Sequence, residues 1–571
     1  MTRHETAPRE IALDEPLEAE GKSRLKLVYG AALGMVLFFL HQAAIISGAI
    51  APPPGYEPAW AIRSLDLPQY LTWLAAGRTS FLIPNYHAPW VTEPALIQPL
   101  FLVAGWIPLP PLAAYHVLSL ALYMVAGMAL VYAVRVFCPE HPGYALLASA
   151  CAVPLGLLVL AAGGLVHSLV LFALGLSGLV DYAYNSADGL FRGGLAASPT
   201  QSLGTAFVLL FMAVLAGYIR DGRRGYARIL MALAFFSAFF HPFEIFVMIA
   251  ASAIPLWQCG RIKTWMGVTA AGLLGLAPYI FASTRSEWVR DVGERIQSPM
   301  YPFWIPENFG IPFFLLAYLL LMRFRMPRPE DRVLQNWLLA TIVLAFVPGI
   351  AFAHHLFNGY AYCVGLLLVR RLASDTQLLP LLKRNRRPAL AAMAGVALMS
   401  GFSLFVLYRQ IWKDGRRADT EWLLSAVRPV SERPLLEWLR THAAPGDLVL
   451  SPTDLSPWVA TLPLTSFASH DFFSITYTEQ AKLAVGFYLG DNMQRDLLDA
   501  YGVRIAVVPE SSRALDHLPA YAFRESVGPW RIYEFPQARM KPYPGLASLD
   551  PTLQPSPRTK TLEWLARLRQ R

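Results

Sequence analysis

Residues 63–98 form a polar, aromatic loop between the first two long apolar runs and hold the strongest candidate for chemistry. Asp66, its first acid, lies where a chain leaving a membrane would meet water. A carboxylate there must be solvated, paired or used, because removing it from water without a partner is costly. A helix would place Asp66 on one face with Arg63 and Tyr70. The alternative is that Asp66 only caps a helix carrying Pro68 in its first turn.

Other polar side chains occur in segments that the predicted topology places on the same side of the membrane as Asp66. Glu93 is predicted either to support a site or to begin a helix, where the macrodipole favours an acid. His241 and Glu244 lie in the sequence HPFE, where His241 could bond a substrate or satisfy a helix break. His354 and His355 are adjacent, so on a helix they would point about 100° apart, and at most one would line a cavity.

The composition indicates a membrane protein. In 571 residues, 55% are hydrophobic and 15% are charged, which lies outside the soluble average. Several windows reach the roughly 20 apolar residues that cross a hydrocarbon core. The net charge of +9 comes from clusters beside apolar runs, as the positive-inside rule predicts, and does not indicate nucleic-acid binding. The four cysteines lack C-x-x-C spacing, which argues against a metal site.

The basic clusters set the predicted topology. The clusters at 220–228, 260–263, 323–332 and 370–387 all fall in the cytoplasm if residues 167–184 lie in the outer leaflet without crossing it. If that segment spans, the set of outer loops changes. The preferred version has about eleven spans, at roughly 27–50, 111–137, 144–163, 199–218, 229–240, 243–257, 265–283, 311–322, 337–353, 361–368 and 388–408.

The predicted fold class is therefore a polytopic α-helical membrane protein with a C-terminal soluble α/β domain. Residues 1–26 are predicted as a disordered cytoplasmic tail, 27–408 as the transmembrane part and 409–571 as the extracytoplasmic domain. The outer loop 51–110 is predicted to carry two interfacial helices, the second opened by Thr92 and Glu93. Because no GxGxxG or GxxxxGK[ST] loop occurs, a nucleotide-driven enzyme or pump is disfavoured.

Several motifs carry a family resemblance. DLPQYLTWL follows the first apolar run, then come TEP, a segment ending in GW, and AYHVL at the start of the second span. ASPTQSL, HPFE, PLLEWLRTHAAPGDLVL and TSFASHDFFSITYTEQAKLAVGFYLG occur further along. Together they resemble bacterial members of the GT-C superfamily, polytopic glycosyltransferases that take sugars from polyprenyl-phosphate donors. The resemblance covers most of the chain.

The resemblance implies a role for Asp66 as the general base of an inverting transfer, accepting the proton of the attacking hydroxyl. Charge would grow on the phosphate of the leaving lipid, and fixed cations or a metal must meet it. Arginine matches phosphate geometry, although an interfacial arginine also contacts lipid headgroups in general. The arginine candidates are Arg192 first, then Arg285 and Arg290. Asp181 or Asp188 could join Asp66 around Mg²⁺ or Mn²⁺ if a divalent cation is used, or could be solvated loop acids.

The outer domain contributes the remaining candidates. His470, Lys482 and their neighbours Asp471, Thr476 and Tyr477 resemble a segment with a His, a Thr and a Lys in the outer domain of such proteins. This cluster could cover the site and hold the acceptor, or Asp471 and Thr476 could simply begin a helix. The predicted substrate-binding residues are Tyr70, Glu93, Arg192, His241, His354, His470 and Lys482.

The resemblance thus implies a hexosyl- or pentosyltransferase of the bacterial inner (plasma) membrane, with its N-terminus in the cytoplasm and its C-terminal domain outside. Its partners would be a polyprenyl-phosphate sugar, membrane lipid and an extracytoplasmic lipid, glycan or protein acceptor, with no nucleic acid. The alternatives are a lipid or glycolipid transporter or flippase, and a catalytically inactive glycolipid-binding scaffold.

Overall fold

The computed structural model describes residues 26–60, 66–140, 142, 143, 145, 199–296, 331–345, 347, 353–374, 427–469, 477–490, 494–536 and 540. The predicted spans at 311–322 and 388–408 and the ambiguous segment 167–184 lie outside these residues, as does nearly all of the span at 144–163.

The first part of the described chain is helical. Its helices are α1 (Leu27–His41), α2 (Ala43–Ile50), α3 (Asp66–Ala76), α4 (Pro99–Ala104), α5 (Pro111–Phe137), α6 (Pro199–Asp221), α7 (Arg224–Phe240), α8 (Glu244–Gln258), α9 (Ile262–Arg285), α10 (Glu287–Ile296), α11 (Asp331–Ala345) and α12 (Tyr360–Ser374). Among the described residues, α5, α6 and α9 are the helices long and apolar enough to cross a membrane. The predicted total of eleven spans stays a prediction.

Helix α1 packs along α5 at very short range because both helices present glycine at the contact. A Cβ atom on Gly30 would lie 2.4 Å from the carbonyl oxygen of Gly127, and one on Gly34 would lie 2.1 Å from that of Tyr123. Gly30 and Gly34 are four residues apart, which is the small-residue spacing that lets membrane helices approach closely. The predicted single span 27–50 is two helices in the structure, because Gln42 forms a turn between α1 and α2.

Helix α6 is the central helix of the bundle. It is buried over almost its whole length and contacts α5, α7, α8 and α11. Buried aromatic and aliphatic side chains such as Phe211 and Met212 fill the space around it. A helix that is apolar on all sides belongs in a core of this kind.

The outer loop between α2 and α5 forms two short helices, but the second is shorter than predicted. Residues 92–98 are not helical, and Ala95 forms an isolated antiparallel bridge with Ile83. Glu93 precedes Pro94, and a residue before proline is disfavoured in the helical region. Helix α4 starts only at Pro99, a position that proline favours. The prediction that Glu93 begins a helix is therefore wrong.

The C-terminal part forms a mixed five-stranded sheet with helices around it. Its strands are β3 (Leu448–Leu450), β4 (Thr465–Ser466), β5 (Ile505–Pro509), β6 (Phe523–Val527) and β7 (Trp530–Glu534), and its helices are α13 (Glu432–His442), α14 (Ser456–Ala460), α15 (Tyr477–Leu489) and α16 (Gln494–Tyr501). The sheet order is β4-β3-β5-β7-β6, with β4, β3 and β5 parallel and β7 and β6 antiparallel. Apolar clusters cover it on two sides.

The outer loop and the C-terminal sheet are joined by backbone and side-chain hydrogen bonds. Strand β1 (Tyr56–Pro58) pairs antiparallel with β2 (Val427–Pro429). Ser466, in edge strand β4, donates its backbone N–H to the carbonyl of Tyr86 at 2.9 Å. Nearby, His87 Nδ1 lies 2.8 Å from Ser469 Oγ, with both residues buried. The first outer loop therefore covers one edge of the sheet.

Candidate functional site

Asp66 is the first residue of α3, so the helix presents it at its amino end. Free backbone N–H groups and the helix dipole favour a negative group at such an end. Tyr70 lies one turn later, and its ring stacks on Phe101 of α4 with centroids 4.5 Å apart and planes 15° apart. Leu74, one further turn along, is fully buried in the same apolar cluster. The face of α3 that carries Tyr70 is therefore anchored to α4.

The C-terminal part holds α3 from another direction. Thr72 Oγ1 lies 3.0 Å from the carbonyl oxygen of Ala460, the last residue of α14, and 2.9 Å from that of Pro68 in its own helix. The Trp458 side chain packs against the apolar cluster of α3 and α4. Helix α3 is thus held between the helical bundle and the C-terminal sheet domain.

A second polar centre lies where α7 ends and α8 begins. His241 follows α7 and donates its backbone N–H to Ser237, and Glu244 is the first residue of α8. His241 Nδ1 lies 2.8 Å from Oε1 and 2.7 Å from Oε2 of Glu244. The two residues are only 2% and 1% exposed. Pro242 prevents the helix from continuing through this point, so the break brings the imidazole and the carboxyl group together.

Two further residues complete this centre. Asn358 Nδ2 donates to Glu244 Oε1 at 2.5 Å, from a buried turn that also contains Gly359 with a φ of +77°. Gly204 of α6 lies against the carboxyl group, so that a Cβ atom there would fall 2.1 Å from Glu244 Oε1 and 2.9 Å from His241 Nδ1. The carboxyl group of Glu244 occupies the space that a side chain at Gly204 would need.

His355 joins the centre through its ring. It stacks on Phe243 with centroids 4.6 Å apart and planes 14° apart, and it meets the His241 ring edge-on at 5.3 Å. The sequence predicts that at most one of the adjacent histidines lines a cavity, and His354 is the one among the predicted substrate-binding residues. The side chain of His354 lies outside the described residues, and His355 is the one seen at the centre.

One apolar layer connects α3 with the His241 centre. Helix α4 contacts both α3 and α7. Its Leu100 shares an apolar cluster with Leu203, the residue before Gly204, and with Phe240, the residue before His241. A displacement of α4 would therefore reach both the helix that begins at Asp66 and the buried imidazole.

The remaining predicted residues that the structure describes are exposed or make other contacts. Glu93 is exposed, and its carbonyl accepts the indole N–H of Trp288 in α10 at 2.9 Å. Lys482 is exposed on α15. Arg290 lies 3.3 Å from Glu287 and 3.6 Å from Asp291, which occupies its guanidinium with neighbouring acids.

Arg285 lies over the ring of Phe281 at the end of α9, 5.2 Å from its centroid. Arg192, Asp181, Asp188, His470, Asp471 and Thr476 lie outside the described residues, and the side chains of Asp66 and Tyr477 are not described either.

No group of three histidine, cysteine, aspartate or glutamate side chains comes close enough to hold a metal ion within the part of the chain that the structure describes. Asp181 and the side chain of Asp66 fall outside that part, so a cation between them stays a prediction.

Asn358 and Gly204 are site residues that the sequence analysis did not identify. The Asn-Gly pair in HHLFNG is a turn signal, and it marks the turn but not the bond to Glu244. Gly204 carries no signal of its own, because its importance depends on a residue forty positions away in the chain.

Comparisons with known proteins find similar chains among solved structures. No family model matches the chain, and no curated protein matches it. Among solved structures, it is similar to the crystal structure of ArnT from Cupriavidus metallidurans bound to undecaprenyl phosphate, at 12% identity and a TM-score of 0.47, over 89% of this chain and 97% of that one. At that score and identity the likeness carries no conclusion about activity, substrate or site residues.

Proposed function

We propose that the protein is a membrane glycosyltransferase, which moves a sugar from a polyprenyl-phosphate-linked donor to an extracytoplasmic lipid, glycan or protein acceptor. The sequence resemblance suggests this class. The observation that supports it best is the placement of α3, which begins at Asp66 and is held by the bundle through Tyr70 and by the C-terminal domain through Thr72. A lipid-linked donor approaches from the membrane and an acceptor from outside, so a base between the two parts can reach both.

In the proposed reaction the acceptor hydroxyl attacks the anomeric carbon of the donor. Asp66 takes the proton of that hydroxyl, and the bond between the anomeric carbon and the phosphate oxygen breaks. The bonding electron pair stays on the phosphate, which leaves as polyprenyl phosphate, and the anomeric configuration inverts. One positioned base is sufficient for such a displacement, provided that fixed positive or hydrogen-bonding groups meet the charge on the phosphate.

Arg192 is the proposed phosphate partner, on the strength of its guanidinium chemistry. Arg285 is the described alternative, because Arg290 already lies beside two carboxylates. Lys482 and His470 are proposed contacts from the C-terminal domain, and Mg²⁺ or Mn²⁺ could assist through Asp66 and Asp181. The protein would act in the bacterial plasma membrane, with its N-terminus inside and residues 409–571 outside.

A transporter or flippase is the rival function. Such proteins place polar groups along a path across the membrane, near its midplane. Two buried polar pairs of the bundle instead lie at helix ends: His241 with Glu244 between α7 and α8, and Asp331 with Arg370 at the start of α11 and near the end of α12. On the predicted topology the first pair lies at the outer face and the second at the cytoplasmic face, so neither of these pairs lies near the midplane, where a translocation path would need polar groups.

The test compares wild type with Asp66→Asn in reconstituted membranes that contain radiolabelled polyprenyl-phosphate sugars. Asp516→Asn, which changes an exposed acid of the C-terminal domain, serves as the matched control. We expect transfer by wild type and the control, and a loss of about 100-fold or more in Asp66→Asn, since a positioned general base contributes roughly that much. Equal transfer by all three proteins would exclude Asp66 as the base. Movement of labelled lipid between leaflets without covalent transfer would support the rival.

A further inference from the structure

The buried side chains around His241 are arranged so that they fix the orientation of its imidazole ring. An ionised carboxylate only accepts hydrogen bonds, and Glu244 Oε1 already accepts one from Asn358. Nδ1 of His241, which contacts both carboxyl oxygens, then carries a proton in either charge state of the ring. The bond at one ring nitrogen fixes what the other can do. The ring therefore presents Nε2 for a further contact.

The centre is not self-contained within the described residues. His241 Nε2 has no hydrogen-bond partner among them. Asn358 Oδ1 is buried and also lacks a partner in this part of the chain. Buried polar groups are usually paired, and a histidine that only satisfied a helix break would need no carboxylate, amide and glycine arranged around it. Both open atoms point to a ligand that completes the centre.

We propose that Gly204, Glu244 and Asn358 are positioning residues that hold His241 so that Nε2 hydrogen-bonds a phosphate oxygen of a polyprenyl phosphate. This proposal rests on the proposed function for the identity of the ligand. Glu244 stabilises the positive charge of the imidazolium, so that Nε2–H donates to the anionic group. Asn358 fixes the carboxyl group, and Gly204 leaves it the space it occupies. No proton is transferred in this step; the hydrogen bond strengthens as charge grows on the phosphate.

Binding of undecaprenyl phosphate, followed by native mass spectrometry titration of the full chain in detergent, tests this proposal. His241→Asn keeps a donor near the position of Nδ1 and removes Nε2. Gly204→Ala displaces the carboxyl group without removing any polar atom. Gly217→Ala on the same helix is the matched control, since its Cβ would meet Tyr226 at an ordinary 3.5 Å.

We expect His241→Asn and Gly204→Ala each to weaken binding about tenfold, as the loss of a hydrogen bond to a charged group predicts, and Gly217→Ala to bind as wild type. Because Gly204 acts through His241, the double variant should bind within about twofold of His241→Asn alone. Glu244→Gln, which keeps the size of the side chain, should likewise add little to the loss of binding caused by His241→Asn. It takes the place of Gly204→Ala if that variant does not fold.

Three results would overturn the proposal: additive losses in the double variant, binding by Gly204→Ala and Glu244→Gln equal to that of wild type, or no binding of undecaprenyl phosphate by wild type. Asp66→Asn separates the two proposals. If it binds the lipid normally but transfers no sugar, the proposed function holds whatever the result at His241. If it binds the lipid and still transfers sugar, the role of Asp66 fails while the role of His241 stands.

Discussion

Replacing either member of the Asp331–Arg370 pair should destabilise the protein strongly, and the two replacements should differ in cost. Arg370 donates from Nε to Asp331 Oδ1 at 2.8 Å and from Nη2 to Oδ2 at 2.9 Å. The two side chains are 5% and 1% exposed. Breaking a buried pair of this kind costs about 3–5 kcal/mol, because the remaining charge loses its partner.

The surroundings of the pair determine which change costs more. Glu140, which is half exposed, lies 3.8 Å from Arg370 Nη1. In Asp331→Asn the guanidinium keeps this second carboxylate and can strengthen its contact with it. In Arg370→Met the buried carboxylate of Asp331 loses both of its charged hydrogen bonds. We therefore expect Arg370→Met to reach the upper part of the range of about 3–5 kcal/mol and Asp331→Asn to fall below it.

Equilibrium unfolding in mixed micelles at increasing SDS fraction measures both values. Arg332→Met is the matched control, because the exposed Arg332 bonds, among the described residues, only an exposed amide, Gln258 Oε1, at 3.1 Å. It should change stability by less than about 0.5 kcal/mol. The double variant Asp331→Leu with Arg370→Met should recover much of the loss, since neither charge is left buried. Single variants no less stable than Arg332→Met, or a double variant less stable than both singles, would refute the reasoning.

Two further predictions concern packing and pH. Gly34→Ala should lower stability by about 1–3 kcal/mol through overpacking, because its Cβ would lie 2.1 Å from the Tyr123 carbonyl oxygen. Gly225→Ala is the control and should leave stability unchanged, because a Cβ there meets nothing within 4 Å. Equal melting temperatures of the two variants would contradict this account. Burial, reinforced by the charge of Asp454, raises the pKa of Tyr488 well above its ordinary value. Above pH 10 the unfolded chain therefore loses the phenolic proton first, and stability falls as pH rises. Tyr488→Phe should flatten this fall in urea unfolding at pH 8 and pH 10.5, and an unchanged slope would show that Tyr488 does not cause it.

Helices with a clear apolar run and a clear stop were predictable from the sequence. The predicted span at 111–137 matches α5 residue for residue. The span predicted at 199–218 continues to Asp221 in α6, because a helix tolerates polar residues until Gly222, whose φ is +70°. Glycine in the left-handed region is a common way to end a helix. The residue that ends α6 was therefore visible in the sequence, but it lay beyond the apolar run from which the span was predicted.

The contacts that build the site were less predictable, because each joins distant parts of the chain. HPFE indicates a helix break with a histidine and an acid three residues apart, which is a local pattern. That Gly204 would lie under Glu244, or that Asn358 would donate to it, depends on how α6 and the turn before α12 pack against α8. Periodicity says which face of a helix is buried but does not identify the partner residue.

The pairing of β1 with β2 sets an order of events during synthesis. Glu57 and Arg428, which bond across this pair, are 371 residues apart. At roughly 5–20 residues per second, a ribosome needs about 20–70 seconds to pass from one to the other. For that time the edge of β1 is unpaired and Tyr86 is not yet bonded to Ser466. Synthesis of residues 427–466, rather than insertion of the first helices, is then the step that supplies α3 and the first outer loop with these partners.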